Sequence, residues 1–158
     1  MRDVRADFPL LAARPELAFL DSGASSQKPR QVLEAMNEFT ENHYANVHRG
    51  AYQLSQEATV AYENARETLA GFIGAEDSSE LIFTRGTTTS LNTLAAGLAH
   101  RLAGKTVLLT EMEHHANLIP WQQAARRVGG QVAYVPLTTD FRLDMEAFDD
   151  LPPIPWAG

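Results

Sequence analysis

The sequence predicts an α/β protein with a mostly parallel sheet and helical crossovers, and three observations carry that expectation. From residue 80 onward, short apolar runs alternate with longer stretches in which apolar residues recur at helical spacing. The runs themselves are only five or six residues long, the size of strands and not of helices. Glycines stand where the helices should stop, at Gly74, Gly104 and Gly129-Gly130.

Taken in order, the apolar stretch Leu17 to Leu20 leads into Asp21-Ser22-Gly23-Ala24-Ser25-Ser26, a loop of small residues suited to close backbone approach. Pro29 reads as a first helical position, where its missing N–H costs nothing. Val32, Ala35, Met36 and Phe39 then mark a helix that fades near His43-Tyr44. Asn46 to Gly50 reads as a loop. A second helix is expected from about Ser55, a plausible N-cap, with Ala58, Ala61, Tyr62, Ala65, Leu69 and Phe72 on one apolar face. Glu80 to Thr84 is a short strand candidate. A helix from Thr88 to Ala103 turns Leu91, Leu94, Ala95, Leu98 and Leu102 to the core. Strand Thr106–Thr110, a helix near Leu118–Val128, strand Val132–Leu137 and an acidic amphipathic helix Leu143–Leu151 complete the order. Residues 152–158, rich in proline, can be neither helix interior nor central strand.

Composition narrows the function. Apolar residues make up 44% and charged residues 21%, the balance of a globular protein. The net charge of -7, with 20 acidic against 13 basic residues and no basic cluster, argues against a nucleic-acid binder. No apolar run approaches the roughly 20 residues of a membrane span. The charged start lacks a signal peptide's apolar stretch, so a cytoplasmic protein is expected. The chain contains no cysteine, which excludes disulfides, thiolate metal sites and a cysteine nucleophile of its own.

Four clusters could carry chemistry. At Thr84-Arg85-Gly86-Thr87-Thr88 a strand candidate ends, glycine frees the backbone, and a helix starts with hydroxyl side chains. A helix start offers unpaired N–H groups and the positive end of the dipole to an anion. A threonine N-cap after a tight turn explains the same residues and, alone, outweighs the anion reading. The loop is neither a Walker P-loop nor a dinucleotide fingerprint. Glu113-His114-His115-Ala116-Asn117 follows a strand, where a histidine can stack on an aromatic cofactor or exchange protons near neutral pH. Alone, one capping and one solvated histidine is the simpler account. Adjacent histidines without a matching second group make a poor metal site, so none is expected. Arg49, in Asn46-Val47-His48-Arg49-Gly50, could grip a carboxylate or phosphate or simply form a surface ion pair. The Asp21–Ser26 loop is equally open by itself.

In wording and order these clusters together resemble the Suf- and Csd-type cysteine desulfurases of the class V aminotransferase family. The matching stretches are Leu20 to Pro29, Asn46 to Gly50, Arg85 to Thr88, and Glu113 to Asn117 running on to Pro120-Trp121. The resemblance covers about Val4 to Leu151, less than half of the family's chain. It implies a partial large domain of a fold-type I pyridoxal-phosphate enzyme over residues 1–151, with 152–158 as a divergent tail. It also implies that Thr87 and Thr88 bind the cofactor phosphate and that His114 stacks on the pyridine ring. Ala24, His48 and Arg49 fall where the family lines its substrate and dimer-partner region.

The resemblance further implies L-cysteine or selenocysteine as substrate in the complete protein, alanine and enzyme-bound sulfur as products, a sulfur-acceptor protein, a homodimer, and a role in iron–sulfur cluster assembly. Lys28 and Lys105, the two lysines, lie outside the family's Ser-Gly-His-Lys context, and the family's pyridine-pairing aspartate, persulfide cysteine and late arginine have no counterpart. The expectation is therefore a truncated, frame-shifted or degenerate product, inactive alone and unable to attach the cofactor covalently at the family position. A kynureninase-like or epimerase-like substrate is the alternative within the family. Gly23 stands where alanine is usual, and Thr89 where glutamate is usual.

Overall fold

The structure, a computed structural model, describes residues 4–151, which fall into two compact units dividing after Leu81. The tail at 152–158 lies outside the described residues.

The first unit is helical. A 3-10 turn at Arg5–Asp7 leads into α1 (Pro9–Ala12). The 21–26 loop precedes α2 (Arg30–Asn42), whose N-cap is Pro29 itself, so the helix starts one position later than expected. Its φ of -68° and ψ of 158° are extended, and an N-cap N–H has no intrahelical duty for the proline to forfeit. His43 ends α2 as foreseen.

The long α3 (Gln53–Ile73) corrects two expectations. Its N-cap is Tyr52, and Ser55 lies one turn inside, buried, with its hydroxyl donating to the Asn46 carbonyl. Burial draws Ser55 inward because that hydroxyl has a backbone acceptor in the preceding loop, a better partner than a helix-end amide already facing water. The buried stripe of α3 accordingly runs through Ser55, Ala58 and Ala70, rotated from the expected face, and Phe72 is 85% exposed. Gly74 closes the helix in the left-handed conformation, φ 74°, as a C-terminal glycine should.

The strand expected at Glu80 to Thr84 is not formed. Ser78–Glu80 is a 3-10 turn capped by Asp77, and although Leu81 is extended no neighbouring strand pairs with residues 81–84 among the described residues. An extended segment becomes a strand only through a ladder of partner hydrogen bonds, which local sequence cannot supply.

The second unit carries the α/β pattern. α4 (Thr87–Leu98) continues as a 3-10 turn over Ala99–Leu102 in place of the longer helix expected, and Gly104 at φ 67° turns the chain into β1 (Thr106–Thr110). α5 (His115–Arg127) crosses over to β2 (Gln131–Val135), which pairs parallel to β1 with Thr106 opposite Gln131 and Thr110 opposite Val135. Gly129 at φ 70° and the bond from Gly130 N–H to the Ala125 carbonyl close α5. Ala95, Leu109, Pro120, Ala124, Ala125 and Val135 are buried where α4 and α5 pack and the strands lie beneath α5. The last helix, α6 (Met145–Asp149), is shorter than foreseen because Leu143 is taken into an antiparallel bridge with Leu137. Its N-cap is Asp144, whose carboxylate accepts from Ala147 N–H at 3.0 Å.

Candidate functional site

Thr87 and Thr88 occupy the first two positions of α4, and the N-cap is Gly86, so the threonine-cap reading is overturned. Gly86 has φ 122° and ψ 169°, a conformation open essentially to glycine alone. Apart from its chain neighbours, no atom of the described residues lies within 4 Å of where its Cβ would stand, so the backbone at this point is open to a ligand. No side chain caps the helix. The Thr87 and Thr88 hydroxyls have no hydrogen-bond partner among the described residues, and both residues are exposed. Thr84, which sequence reading quoted in this cluster without a role, and Ser90, which it passed over, brace this entrance. Thr84 Oγ1 and Ser90 Oγ are 2.6 Å apart, and they lie 3.3 and 3.2 Å from the Gly86 carbonyl oxygen. The available signal was a hydroxyl residue on either side of the glycine, two before and four after.

His114 is the N-cap of α5, immediately after the turn that follows β1. Its Nδ1 accepts from Ala116 N–H at 3.1 Å, which requires that nitrogen to be unprotonated and leaves Nε2 as the ring's other edge. The cap uses an edge of the imidazole and not its face, so capping and stacking do not compete. The His115 ring stands edge-on to it with centroids 6.5 Å apart. Glu113 ties the turn together. Its carboxylate accepts from Asn117 Nδ2 at 2.8 Å and from Thr110 Oγ1 at 3.0 Å, and those bonds hold it below the ordinary carboxylate value. Asn117 Oδ1 in turn accepts from Trp121 Nε1 at 3.0 Å.

The remaining expected residues lie in the first unit. Ala24 is in a turn closed by its own N–H and that of Ser25 on the Asp21 carbonyl, at 3.2 and 3.0 Å. His48 is left-handed, φ 72°, uncommon for a residue with a side chain. It is anchored by its N–H on Thr59 Oγ1 at 2.9 Å, by its Nε2 lying 3.3 Å from Glu63 Oε1, and by an edge-on contact with Tyr62. Arg49 beside it is exposed and has no ion-pair partner among the described residues, contrary to the usual fate of a loop arginine. The structure thus groups Thr87 with Thr88 on one helix start and His114 on the start of the helix that packs against it. Ala24 and the His48-Arg49 pair sit on two separate loops of the first unit.

The sequence profile of the family described as "Aminotransferase class-V" matches residues 18–152. A cysteine desulfurase of Enterobacter sp. (strain 638) is 47% identical over 153 residues, an overlap covering 94% of this chain and 38% of that protein. A probable cysteine desulfurase of Halobacterium salinarum is 46% identical over 154 residues, covering 94% and 37%. Among solved structures, the apo cysteine desulfurase of Thermococcus onnurineus NA1 superposes with a TM-score of 0.83 at 40% identity, over 95% of this chain and 38% of that one. The chain therefore spans less than two fifths of the length of the relatives it matches.

Proposed function

Because the chain belongs to the class V aminotransferase family, we propose that it is the cofactor-phosphate portion of a pyridoxal-phosphate-dependent cysteine desulfurase. The observation that carries this reading is the start of α4, where among the described residues the first turn is uncapped, the Thr87 and Thr88 hydroxyls are unpartnered, and the space over Gly86 is open. A dianionic phosphate fits there, since free N–H groups, helix dipole and hydroxyls all favour negative charge. When bound, pyridoxal phosphate supplies an electron sink for breaking bonds at the substrate's α- and β-carbons.

The chain's own residues have limited tasks. Thr87 and Thr88 would donate to the phosphate. Gly86 would permit its close approach. His114, held by its cap, would offer a ring face to the pyridine. Ala24, His48 and Arg49 contribute to the substrate and partner region, where Arg49, without an ion-pair partner among the described residues, offers its guanidinium to a carboxylate. Residues 1–151 form the amino-terminal part of the family domain, and 152–158 a divergent tail.

The complete protein converts L-cysteine, or selenocysteine, to alanine, passes the sulfur to an acceptor protein for iron–sulfur cluster assembly, and works as a cytoplasmic homodimer. Sequence identities of 46 and 47% with relatives named as cysteine desulfurases support the substrate over a kynureninase-like or epimerase-like one. Without any cysteine, the 158 residues by themselves cannot hold sulfur as a protein persulfide.

A chimera tests the reading, with this chain replacing the matching part of the Enterobacter relative. Alanine release from L-cysteine, weakened by Thr88→Val, is the expected result. Stoichiometric cofactor binding without alanine release would favour a different substrate, and no cofactor binding would overturn the proposal. The 158-residue chain alone, mixed with pyridoxal phosphate and L-cysteine, is expected to release no alanine catalytically.

A further inference from the structure

We propose that Thr59 is a positioning residue for Arg49, because its hydroxyl pins the preceding residue, His48, in a left-handed backbone conformation. The purpose of that pinning rests on the reading of Arg49 as a substrate-region residue, whereas its geometry does not. Ser55, Thr59 and Glu63 stand four residues apart on α3 and so share one helix face. Each of them holds the 46–50 loop. Ser55 Oγ donates to the Asn46 carbonyl, and Thr59 Oγ1 accepts from His48 N–H at 2.9 Å. Glu63 Oε1 lies 3.3 Å from His48 Nε2, and the Tyr62 ring meets the imidazole edge-on with centroids 5.5 Å apart.

The Thr59 contact has a fixed direction. Its single hydroxyl proton goes to the Ser55 carbonyl at 2.7 Å, so only lone pairs face the loop. Bonding back to the carbonyl four residues earlier is ordinary for a helical threonine. The second bond, taken from outside the helix, is what sets Thr59 apart. It falls on a residue at φ 72°, a conformation disfavoured for any side chain beyond glycine, and offsets part of that cost.

Arg49 is thereby held from both sides. On its far side Gly50 lies so close to Ser55 that a Cβ would collide with the serine side chain. Between these two fixed neighbours the Arg49 side chain is exposed and has no ion-pair partner among the described residues. Glu63, the carboxylate of this face, is already engaged by Arg66 Nε at 3.0 Å. A guanidinium carried on backbone fixed in advance loses less freedom when it meets a carboxylate.

Thr59→Val keeps the branched shape and removes the acceptor, Thr59→Ala removes it without a new methyl group, and Thr59→Ser retains it. The one-bond Cα–Hα coupling of residue 48, measured on the whole 158-residue chain, separates left-handed backbone from the other conformations. It is expected to lose its left-handed value in the valine and alanine variants and to keep it in the serine variant. Should the valine pack badly, the alanine variant decides. An unchanged coupling in Thr59→Ala overturns the proposal.

Kinetics of the chimera with the Enterobacter relative supply the second readout. Thr59→Val is expected to raise KM for L-cysteine about fivefold, the scale of one lost hydrogen bond, with kcat held within about twofold and KM restored in Thr59→Ser. With Arg49→Ala already present, Thr59→Val should change KM by less than about twofold, since both changes then remove one contact. A full further rise on top of Arg49→Ala overturns the route through Arg49. If residue 48 changes conformation while KM stays unmoved in both Thr59→Val and Arg49→Ala, the substrate-region reading is the part that fails.

Discussion

Thr84 and Ser90 clasp each other across Gly86, their hydroxyls 2.6 Å apart and both within reach of the glycine carbonyl. With one proton each, one hydroxyl donates to the other, and that second one donates to the carbonyl. The clasp holds the loop's turn in place just where α4 leaves its first amides uncovered. Ser90→Ala is expected to weaken pyridoxal phosphate binding about fivefold, since one exposed hydrogen bond contributes on the order of 1 kcal/mol. An absorbance titration checks this, and an unchanged affinity would contradict a role for the clasp.

Gly86→Ala should destabilise the second unit by about 1–3 kcal/mol through backbone strain alone, because φ 122° is unfavourable and no atom crowds the new methyl group. Gly23→Ala is the matched comparison. Its added carbon also meets open space, and its backbone is not left-handed, so the change should be near neutral. Urea unfolding of the two variants separates conformational cost from crowding.

Gly50 is constrained for the opposite reason. A Cβ there would collide with Ser55 Oγ and Cβ, in the buried contact that ties the 46–50 loop to α3. Gly50→Ala is expected to cost about 1–3 kcal/mol, the range for overpacking a tight site. The same change should shift the His48 ring resonances, since His48 hangs from the same helix through Thr59.

Glu113 sets a pH dependence with a definite sign. Hydrogen bonds from Asn117 and Thr110 lower it from its ordinary 4.5, so the folded form holds its proton less tightly than the unfolded chain does. The stabilisation is fully present above pH 4.5 and is lost as pH falls through the lower folded value. Thermal melting followed between pH 7 and pH 3 should show this acid limb, and Glu113→Gln should flatten it. An identical profile in the variant would contradict the assignment.

Large apolar side chains face outward in both units: Leu20 is 93% exposed, Phe72 85% and Ile82 77%. Such surface favours association in water. The isolated 158-residue chain is expected to self-associate with rising concentration, and Phe72→Glu should reduce that tendency. Sedimentation velocity showing an unchanging monomer would refute the expectation.

Most helix ends were legible from local chemistry. Gly74, Gly104 and Gly129 adopt the left-handed conformations their positions imply, because a missing Cβ is a property of the residue itself. The pair Thr106–Thr110 and Gln131–Val135 was legible within two residues, since apolar runs bounded by glycine suffice to mark a parallel pair joined by a helix. The failures have one character. Ser55 reads as a cap because serine favours caps, yet a carbonyl nine residues earlier draws it inside. Residues 80–84 read as a strand, yet extended backbone needs a partner strand. Among the candidate site residues, Thr84, Thr87, Thr88 and His114 were visible as motif positions, whereas Ser90 and its clasp with Thr84 were not.

The sequence by itself determined the family, most of the order of helices and strands, and a glycine turn opening a helix at Arg85-Gly86-Thr87-Thr88, since glycine freedom, hydroxyl chemistry and hydrophobic period are all local. Only the tertiary structure decided that Gly86 and not a threonine caps α4, that Thr84 and Ser90 brace the turn, and that Glu113 accepts at both oxygens. Each of those depends on which donor meets which acceptor in space, and a hydrogen bond is decided by distance and direction that residue type alone does not specify.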